Sequence, residues 1–339
     1  MSDNKAVQLS GFDAGNPTST IKVVAAPRPV PGEGEVLVRL TLRPCNPADI
    51  FSVMGVYPGF RPASFPATPG LEGVGVVEEN GSGASKYTVG QRVVGTPYSS
   101  IKGGSGTWQQ YIVAKESDLL AVPDDVNDEI AAQFLVNPVT VYGMLEELAV
   151  PEGEYLLQTA AGSVLGRQII QLAKHRGIKT VNVVRRQEQV EELKQLGADE
   201  VVVSADGADL PAAVKAATGG KPAYAAIECV GGELFGAVAS SVRDHATVIL
   251  YGAMSGLSAS FSIPDLLFRG VVARGFWLNI YLHSMEAAEK ERVCKAVLQL
   301  LSDEIITPYH GQRFSLDDIE AAIGAATSAA RGGKVLLEG

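Results

Sequence analysis

The sequence predicts an α/β chain in two lobes, in which a β-rich lobe is followed by a doubly wound parallel sheet. The chain has 339 residues and is 46% hydrophobic, so it holds enough apolar material for two ordinary cores. Residues 1–125 contain short β-rich runs between turn signals such as Pro31-Gly32 and Asn80-Gly81. From residue 137 onward strand patterns alternate with helical ones, which is typical of a parallel sheet covered by helices.

The β-rich runs of the first lobe lie at residues 35–42, 73–78 and 91–95. Each is short and bounded by turn residues, and helical periodicity is almost absent before residue 125. We therefore expect a compact antiparallel barrel or sandwich in this part of the chain.

Five strands of the doubly wound sheet are expected in the second lobe, at residues 155–160, 180–184, 200–204, 224–229 and 247–251. The helices between them are expected at residues 167–175, 188–196, 211–217 and 234–241. Gly197 follows the second of these helices, where a glycine relieves left-handed strain at a helix end.

A sixth strand is expected at residues 271–278, followed by a helix at 285–301 and a last strand at 332–337 that returns to the first lobe. The sixth strand would be an apolar sheet edge, and an open edge of this kind predicts a homodimer paired along it. We expect the chain to divide into a first lobe at residues 1–136, a second lobe at 137–278 and a segment at 279–339 that returns to the first lobe.

The charge balance and the cysteines narrow the class of partner and compartment. A net charge of -10 opposes binding to nucleic acid or to anionic membranes. Cys45, Cys229 and Cys294 form no CxxC pair, which indicates reduced intracellular thiols. The apolar runs are too short to cross a bilayer, and the N-terminus resembles neither a signal nor a transit peptide. We expect an intracellular protein. The sequence as it stands predicts a cytoplasmic protein, and a mitochondrial one is the alternative if a presequence has been removed.

A candidate phosphate loop follows the first strand of the second lobe, at residues 160–166. Its small residues would let the backbone approach a pyrophosphate, whose charge is met by N–H groups at the start of the next helix. We expect Gly162, Ser163, Val164 and Leu165 to bind it. The spacing departs from G-x-G-x-x-G, so a turn that binds nothing explains the loop alone equally well, but its place in a βαβ unit favours a Rossmann dinucleotide site.

The end of the second strand carries Arg185 and Arg186, where a site specific for NAD usually has Asp or Glu. Guanidinium groups pair with phosphate in a bidentate geometry, so this position favours NADP(H). The alternative is that both arginines cap a solvated loop.

Four further motifs resemble landmarks of the medium-chain dehydrogenase/reductase superfamily, at residues 31–38, 69–75, 89–93 and 196–199. The resemblance covers nearly the whole chain and implies a GroES-like catalytic lobe beside the Rossmann lobe. In the alcohol dehydrogenase branch a catalytic zinc is held by a Cys and a His at positions that are Asn46 and Leu71 here. Zinc needs three N, S or O side chains, so we expect no metal and a member of the zinc-free, quinone-oxidoreductase-like branch.

A narrower resemblance is to the trans-2-enoyl-thioester reductases of mitochondrial fatty-acid synthesis. It lies in the motifs at residues 46–50, 55–57, 137–142, 182–185, 229–232, 251–254 and 274–278. The phosphate loop departs from it, since it reads Ala-Gly-Ser-Val-Leu-Gly where those enzymes carry Asn-Ser-Gly-Val-Gly. This resemblance implies an NADPH-dependent reductase of enoyl-CoA or enoyl-carrier protein. There are two alternatives. One is a quinone or alkenal reductase, and the other is a cofactor-binding protein that has lost turnover.

The same resemblance implies roles for individual residues. Tyr57 would donate the proton to the α-carbon, although a structural tyrosine in a turn is the alternative. Asn46 would orient substrate and Asn137 the cofactor, unless each only caps a turn beside its proline. The remaining residues would contact the cofactor, namely Tyr251, Met254, Phe276, Trp277 and Lys334. Trp277 would also contact the substrate. Core packing of the aromatic residues and a solvated Lys334 are the alternatives.

Overall fold

The computed structural model describes residues 4–204, 209–328 and 332–339. The chain forms two compact units, a first unit of Met1–Pro138 with Ala287–Gly339 and a second unit of Val139–Glu286. Residues 279–286, which the expected division assigns to the returning segment, belong to the second unit. The prediction that the N-terminus is neither a signal nor a transit peptide rests partly on residues 1–3, which lie outside the described ranges.

In chain order the described strands are β1 (Asn4–Leu9), β2 (Ile21–Ala26), β3 (Glu35–Pro44), β4 (Val74–Asn80), β5 (Arg92–Gly95), β6 (Tyr111–Lys115), β7 (Leu119–Ala121), β8 (Tyr155–Gln158), β9 (Lys179–Val184), β10 (Glu200–Val203), β11 (Ala225–Glu228), β12 (Thr247–Leu250), β13 (Val272–Gly275), β14 (His310–Ser315) and β15 (Lys334–Glu338).

The described α-helices are α1 (Pro47–Val53), α2 (Asp128–Ala131), α3 (Val136–Leu148), α4 (Val164–His175), α5 (Gln189–Leu196), α6 (Leu210–Ala217), α7 (Gly232–Ser240), α8 (Ile263–Leu267), α9 (Leu278–His283), α10 (Ala287–Ser302) and α11 (Ile319–Thr327). None of the helices in the described ranges is long and apolar enough to cross a membrane.

The described part of the first unit contains a seven-stranded sheet with the order β14-β15-β3-β4-β5-β7, in which β6 also pairs with β3. All neighbours are antiparallel except β14 and β15. β15 pairs with β3, with Leu336 opposite Pro44. The prediction that the last strand returns to the first lobe is therefore confirmed.

α1 lies in the region before residue 125, where the sequence shows almost no helical periodicity. This helix begins after Asn46, with Pro47 in its first turn, and the Asp49 carboxylate accepts the backbone N–H of Asn46 at 2.7 Å. Such capping stabilises a helix start, but α1 has only seven residues. That length is too short for an apolar repeat to be visible in the sequence.

The second unit contains, over its described residues, a parallel sheet with the order β10-β9-β8-β11-β12-β13. This is the doubly wound arrangement in which the strand order reverses beside the first strand, so the predicted Rossmann sheet is confirmed. α4 begins at Val164, three residues before the predicted start, because the Ser163 hydroxyl accepts the N–H of Gly166 at 3.0 Å and caps the helix.

The sixth strand is shorter than predicted. β13 ends at Gly275, and Trp277 caps α9, with the N–H of Tyr281 donating to the Trp277 carbonyl at 2.9 Å. Phe276 and Trp277 therefore lie beyond the strand, because the chain turns directly into a helix.

Candidate active site

The predicted phosphate loop is a tight turn between β8 and α4. The N–H of Ala161 donates to the Val183 carbonyl of β9 at 3.1 Å, and the N–H of Ser163 donates to the Ala160 carbonyl at 2.9 Å. A Cβ added at Gly166 would lie 2.7 Å from the backbone of Ala161. Only glycine therefore lets α4 approach the loop this closely, which is the packing role of the last glycine in dinucleotide-binding loops.

The residues predicted to bind pyrophosphate lie in this turn and at the start of the helix that follows it. Gly162 and Ser163 lie in the turn, and Val164 and Leu165 form the first turn of α4. Because β8 and β11 are neighbours at the point where the strand order reverses, the loop lies where open parallel sheets bind their ligands. This position and the close packing of α4 on the loop at Gly166 fit a dinucleotide-binding loop.

Arg185 and Arg186 follow β9 and are exposed to solvent. Among the residues that the structure describes, neither guanidinium forms an ion pair, whereas nearby Arg167 pairs with Glu192 at 2.7 Å. Two guanidinium groups without a carboxylate partner are suited to a phosphate group. The arrangement fits NADP(H), whose extra phosphate lies at this point of the fold.

Tyr251 and Met254 lie after β12, beside Cys229 at the end of β11. The Met254 sulfur is 3.7 Å from the Cys229 sulfur. Burial raises the pKa of the Cys229 thiol to about 11 and also raises the pKa of the Tyr251 hydroxyl, so both stay protonated at neutral pH. These residues lie together at the carboxyl edge of the sheet.

Phe276 and Trp277 follow β13 at the same edge of the sheet. Phe276 is only 7% exposed, and its ring centroid lies 5.0 Å from that of Tyr281. A Cβ at Gly143 of α3 would come within 2.8 Å of the Phe276 ring. Phe276 therefore packs in the second unit, whereas Trp277 is half-buried and partly exposed to solvent.

The first unit holds a buried polar cluster of Asn46, Asp49, Glu72 and Lys334. The Asn46 amide donates to Glu72 Oε1 at 2.8 Å, and Lys334 Nζ donates to Asn46 Oδ1 at 2.5 Å. Asn46 is 1% exposed and Lys334 is 4% exposed. The two contacts determine the orientation of the Asn46 amide. The alternative of a solvated Lys334 is therefore wrong.

The second oxygen of Glu72 accepts two backbone N–H groups, from Leu135 at 2.8 Å and Val136 at 2.9 Å. These residues lead into α3, in which the next residue is Asn137. The Glu72 carboxylate thus joins the Asn46 amide to the backbone that directly precedes Asn137. This role of Glu72 was not predicted from the sequence, although the residue lies in the motif at residues 69–75, which was a usable signal.

Burial has a strong effect on the acids of this cluster. It raises the pKa of Asp49 to about 7, and the Glu72 charge adds to that effect while Lys334 opposes it. Burial likewise raises the pKa of Glu72. Asp49 Oδ1 is buried without a hydrogen-bond partner in the described structure. The cluster is therefore a site whose charge can change near neutral pH.

Tyr57 lies in the turn that follows α1. Its N–H donates to the Phe51 carbonyl at 3.1 Å, and Arg61 Nη1 donates to the carbonyls of Gly55 at 3.1 Å and Tyr57 at 2.9 Å. The side chain is half-buried and packs against the core of the first unit. These bonds hold the turn in place while leaving part of the Tyr57 side chain accessible.

The part of the chain that the structure describes contains no group of three His, Cys, Asp or Glu side chains that could hold a metal ion. At the position of a zinc-binding cysteine the structure has the Asn46 amide, which already bonds Glu72 and Lys334.

Comparison with known proteins agrees with this architecture. Residues 32–124 match the alcohol dehydrogenase GroES-like domain, and residues 164–293 match the zinc-binding dehydrogenase family. The mitochondrial enoyl-[acyl-carrier-protein] reductase of Arabidopsis thaliana is 35% identical over 85% of this chain and 76% of its own length.

Two solved structures extend the comparison to the whole chain. A quinone oxidoreductase of Pseudomonas syringae has a TM-score of 0.86 at 25% identity, over 99% of this chain and 100% of its own. A mycobacterial protein solved with NADPH has a TM-score of 0.84 at 27% identity, again over 99% and 100% of the two chains.

A GroES-like unit joined to a Rossmann unit with a dinucleotide loop defines an oxidoreductase that uses a nicotinamide cofactor. The chain belongs to the medium-chain dehydrogenase/reductase superfamily, in its zinc-free branch of enoyl reductases and quinone oxidoreductases.

Proposed function

We propose that this protein reduces trans-2-enoyl thioesters with NADPH, acting on an enoyl-CoA or an enoyl-carrier protein. The observation that carries the choice of cofactor is the pair Arg185 and Arg186, exposed beyond the phosphate loop with no ion pair to a described residue. The choice of substrate class is supported by the relative from Arabidopsis thaliana, which is named an enoyl-[acyl-carrier-protein] reductase. The resemblance to the reductases of mitochondrial fatty-acid synthesis extends this proposal to a role in fatty acid biosynthesis.

NADPH, when bound, supplies a hydride to the β-carbon of the substrate. The hydride brings both electrons of the new C–H bond, so the electrons of the C=C bond move toward the thioester carbonyl and form an enolate. Tyr57 gives its hydroxyl proton to the α-carbon, and the phenolate recovers a proton from water. A tyrosine is a weak acid toward water but competent toward an enolate carbon, which is much more basic.

The other residues bind and orient in this proposal. The turn at Gly162 and Ser163 and the first turn of α4, with Val164 and Leu165, hold the pyrophosphate through backbone N–H groups. Tyr251, Met254 and Trp277 line the cofactor site, and Trp277 also contacts the acyl group. Phe276 supports them by packing from within the second unit.

In the first unit, Asn46 orients the substrate and Asn137 the nicotinamide. Lys334 acts through Asn46, because its ammonium is bonded to the Asn46 oxygen. Glu72 holds the other end of the Asn46 amide.

A second candidate is an NADPH-dependent quinone or alkenal reductase. It is favoured by the structural likeness to the Pseudomonas syringae quinone oxidoreductase. Both candidates use the same cofactor and the same loop, so they differ only in the acceptor.

Steady-state oxidation of NADPH, with NADH in parallel, separates the two. We expect thioesters from crotonyl to decenoyl to be reduced with a higher kcat/KM than small quinones or free enals. Rates with thioesters no better than those with quinones would refute the enoyl reductase and select the second candidate. If the protein binds NADPH but reduces none of the activated alkenes, it has lost turnover.

We also propose that the protein is a homodimer paired along β13. The exposed apolar residues Ile263, Leu267, Phe268 and Val272 lie on and around α8 and β13. The polar Asp265 of α8 instead points inward, where it accepts a hydrogen bond from Ser240 at 2.6 Å. An apolar surface beside an open strand edge is suited to a second copy of the chain.

The relative from Arabidopsis thaliana is named as a mitochondrial protein, which supports the mitochondrial alternative for the compartment. Imaging of the protein expressed from its own gene with a C-terminal fluorescent tag, beside a mitochondrial marker, tests it. A diffuse cytoplasmic signal would contradict it.

A further inference from the structure

Gln189, the first residue of α5, lies directly over the phosphate loop. A Cβ added at Gly162 would overlap the side-chain amide nitrogen of Gln189. The absence of a side chain at Gly162 therefore leaves the space that this amide occupies. Gln189 has no role predicted from the sequence, because it belongs to none of the recognised motifs.

The amide of Gln189 has donor capacity that no residue in the described ranges uses. It makes no side-chain hydrogen bond to any residue in the described ranges, although its side chain is partly buried. Gln195 on the same helix behaves differently, since its amide donates to Glu191 at 3.1 Å. A partly buried amide with free N–H groups is an incomplete hydrogen-bond site.

The position of Gln189 is held by neighbouring contacts. Arg167 of α4 pairs with Glu192, three residues further along α5, at 2.7 Å. Arg167 Nε also donates to the Gly162 carbonyl at 3.4 Å. The hydrogen bond from Arg167 lowers the pKa of Glu192, which keeps this acid charged. The first turn of α5 is thus tied to α4 next to Gly162, the residue that Gln189 covers.

We infer that Gln189 is a further cofactor-binding residue, whose amide donates a hydrogen bond to a phosphate oxygen of the pyrophosphate held by the loop. This inference rests on the proposed nicotinamide cofactor. The amide is neutral and contacts the loop at Gly162, whereas Arg185 and Arg186 lie after β9. Gln189 therefore serves NADPH and NADH equally, and the arginines serve only the phosphate that distinguishes NADPH.

The test is to measure the dissociation constants of NADPH, NADH and ADP by isothermal titration calorimetry, without any thioester. In Gln189→Ala we expect all three nucleotides to bind about tenfold more weakly or worse, the usual loss for a hydrogen bond to a charged group. Gln189→Glu should weaken them further by repelling phosphate. Gln195→Ala, a change of the same type on the same helix, should leave all three constants unchanged.

Unchanged constants in Gln189→Ala would overturn the inference, and so would a loss confined to NADPH, which would assign Gln189 to the extra phosphate. Tighter binding would overturn it by showing that the amide blocks the loop. If the unaltered protein binds none of the three nucleotides, the proposed cofactor fails and the inference with it. If it binds them but reduces no thioester, only the proposed substrate fails, and the role of Gln189 is still decided by the three constants.

Discussion

Glu72 accepts a hydrogen bond from the Asn46 amide at 2.8 Å with one carboxylate oxygen, and two backbone N–H groups at the start of α3 with the other. Both oxygens of this buried acid are used as acceptors. The amide of Asn46 and the first residues of α3 are therefore held by one side chain that has no donor of its own.

Glu72→Gln should destabilise the fold, because the new amide must direct an NH2 group at donors. We expect a loss of about 1–3 kcal/mol in the free energy of unfolding, the cost of leaving a buried polar group unsatisfied. Urea unfolding followed by circular dichroism measures it. Glu79→Gln, an exposed change of the same type in β4, the strand that follows Glu72, is the control. Equal midpoints for the two variants would contradict the role of Glu72.

Asp49→Asn should reduce the dependence of stability on pH. Because burial raises the pKa of Asp49 to about 7, the folded chain binds its proton more tightly than the unfolded chain, where aspartate titrates near pH 3.9. Stability from this group is present at low pH and is lost as the pH rises from about 4 through 7, by up to about 1.4 kcal/mol per unit.

The variant keeps an oxygen to accept the Asn46 N–H but cannot ionise. The free energies of unfolding at about pH 5 and about pH 8 should therefore differ less in Asp49→Asn than in the unaltered chain. A residual difference of the same sign is expected from Glu72, whose pKa is also raised. Asp124→Asn, on the exposed surface, should leave the difference unchanged. If Asp49→Asn also leaves it unchanged, Asp49 does not titrate in this range.

Tyr57→Phe deletes one oxygen and leaves the ring that packs on the core of the first unit. If Tyr57 protonates the α-carbon, turnover should fall by roughly 10²–10⁴, the usual contribution of a positioned acid. Affinity for NADPH should stay close to its original value. A variant that keeps more than about a third of its turnover, where chemistry limits the rate, would make Tyr57 a packing or orienting residue.

Arg185→Ala should weaken NADPH binding by about 1.5–3 kcal/mol and change NADH binding little, because only NADPH carries the phosphate proposed to meet Arg185. Calorimetric titration with the two cofactors measures the difference. Arg243→Ala, in the same unit but with its guanidinium stacked on Tyr224, is a control for loss of charge alone. Equal losses with both cofactors would exclude the role in phosphate recognition.

Phe268→Asp should dissociate the proposed dimer, since it places a charge in the apolar surface around α8, where Phe268 is 78% exposed. Light scattering at micromolar concentration should give a dimer for the unaltered protein and a monomer for the variant. Val89→Asp, on an equally open surface of the first unit, should remain a dimer. A monomeric unaltered protein would refute the pairing along β13.

The sequence by itself determined the features that depend on local pattern and residue type. The alternation of strand and helix predicts the parallel sheet of the second unit because side-chain periodicity follows from backbone geometry. The residue types Asn46 and Leu71, at the two positions where related enzymes place zinc ligands, likewise exclude that zinc site from the sequence alone. Both predictions need no knowledge of which distant residues meet.

The tertiary structure alone decided which distant side chains come together and how far each is buried. Lys334 reaches Asn46 only because β15 returns to pair with β3, and the acidity of Asp49 depends on burial that no local pattern reports. Gln189 covers Gly162 because β8 and β9 are adjacent. The physical reason is that desolvation and contact energies depend on distances in space, whereas periodicity in a sequence reports only the local path of the backbone.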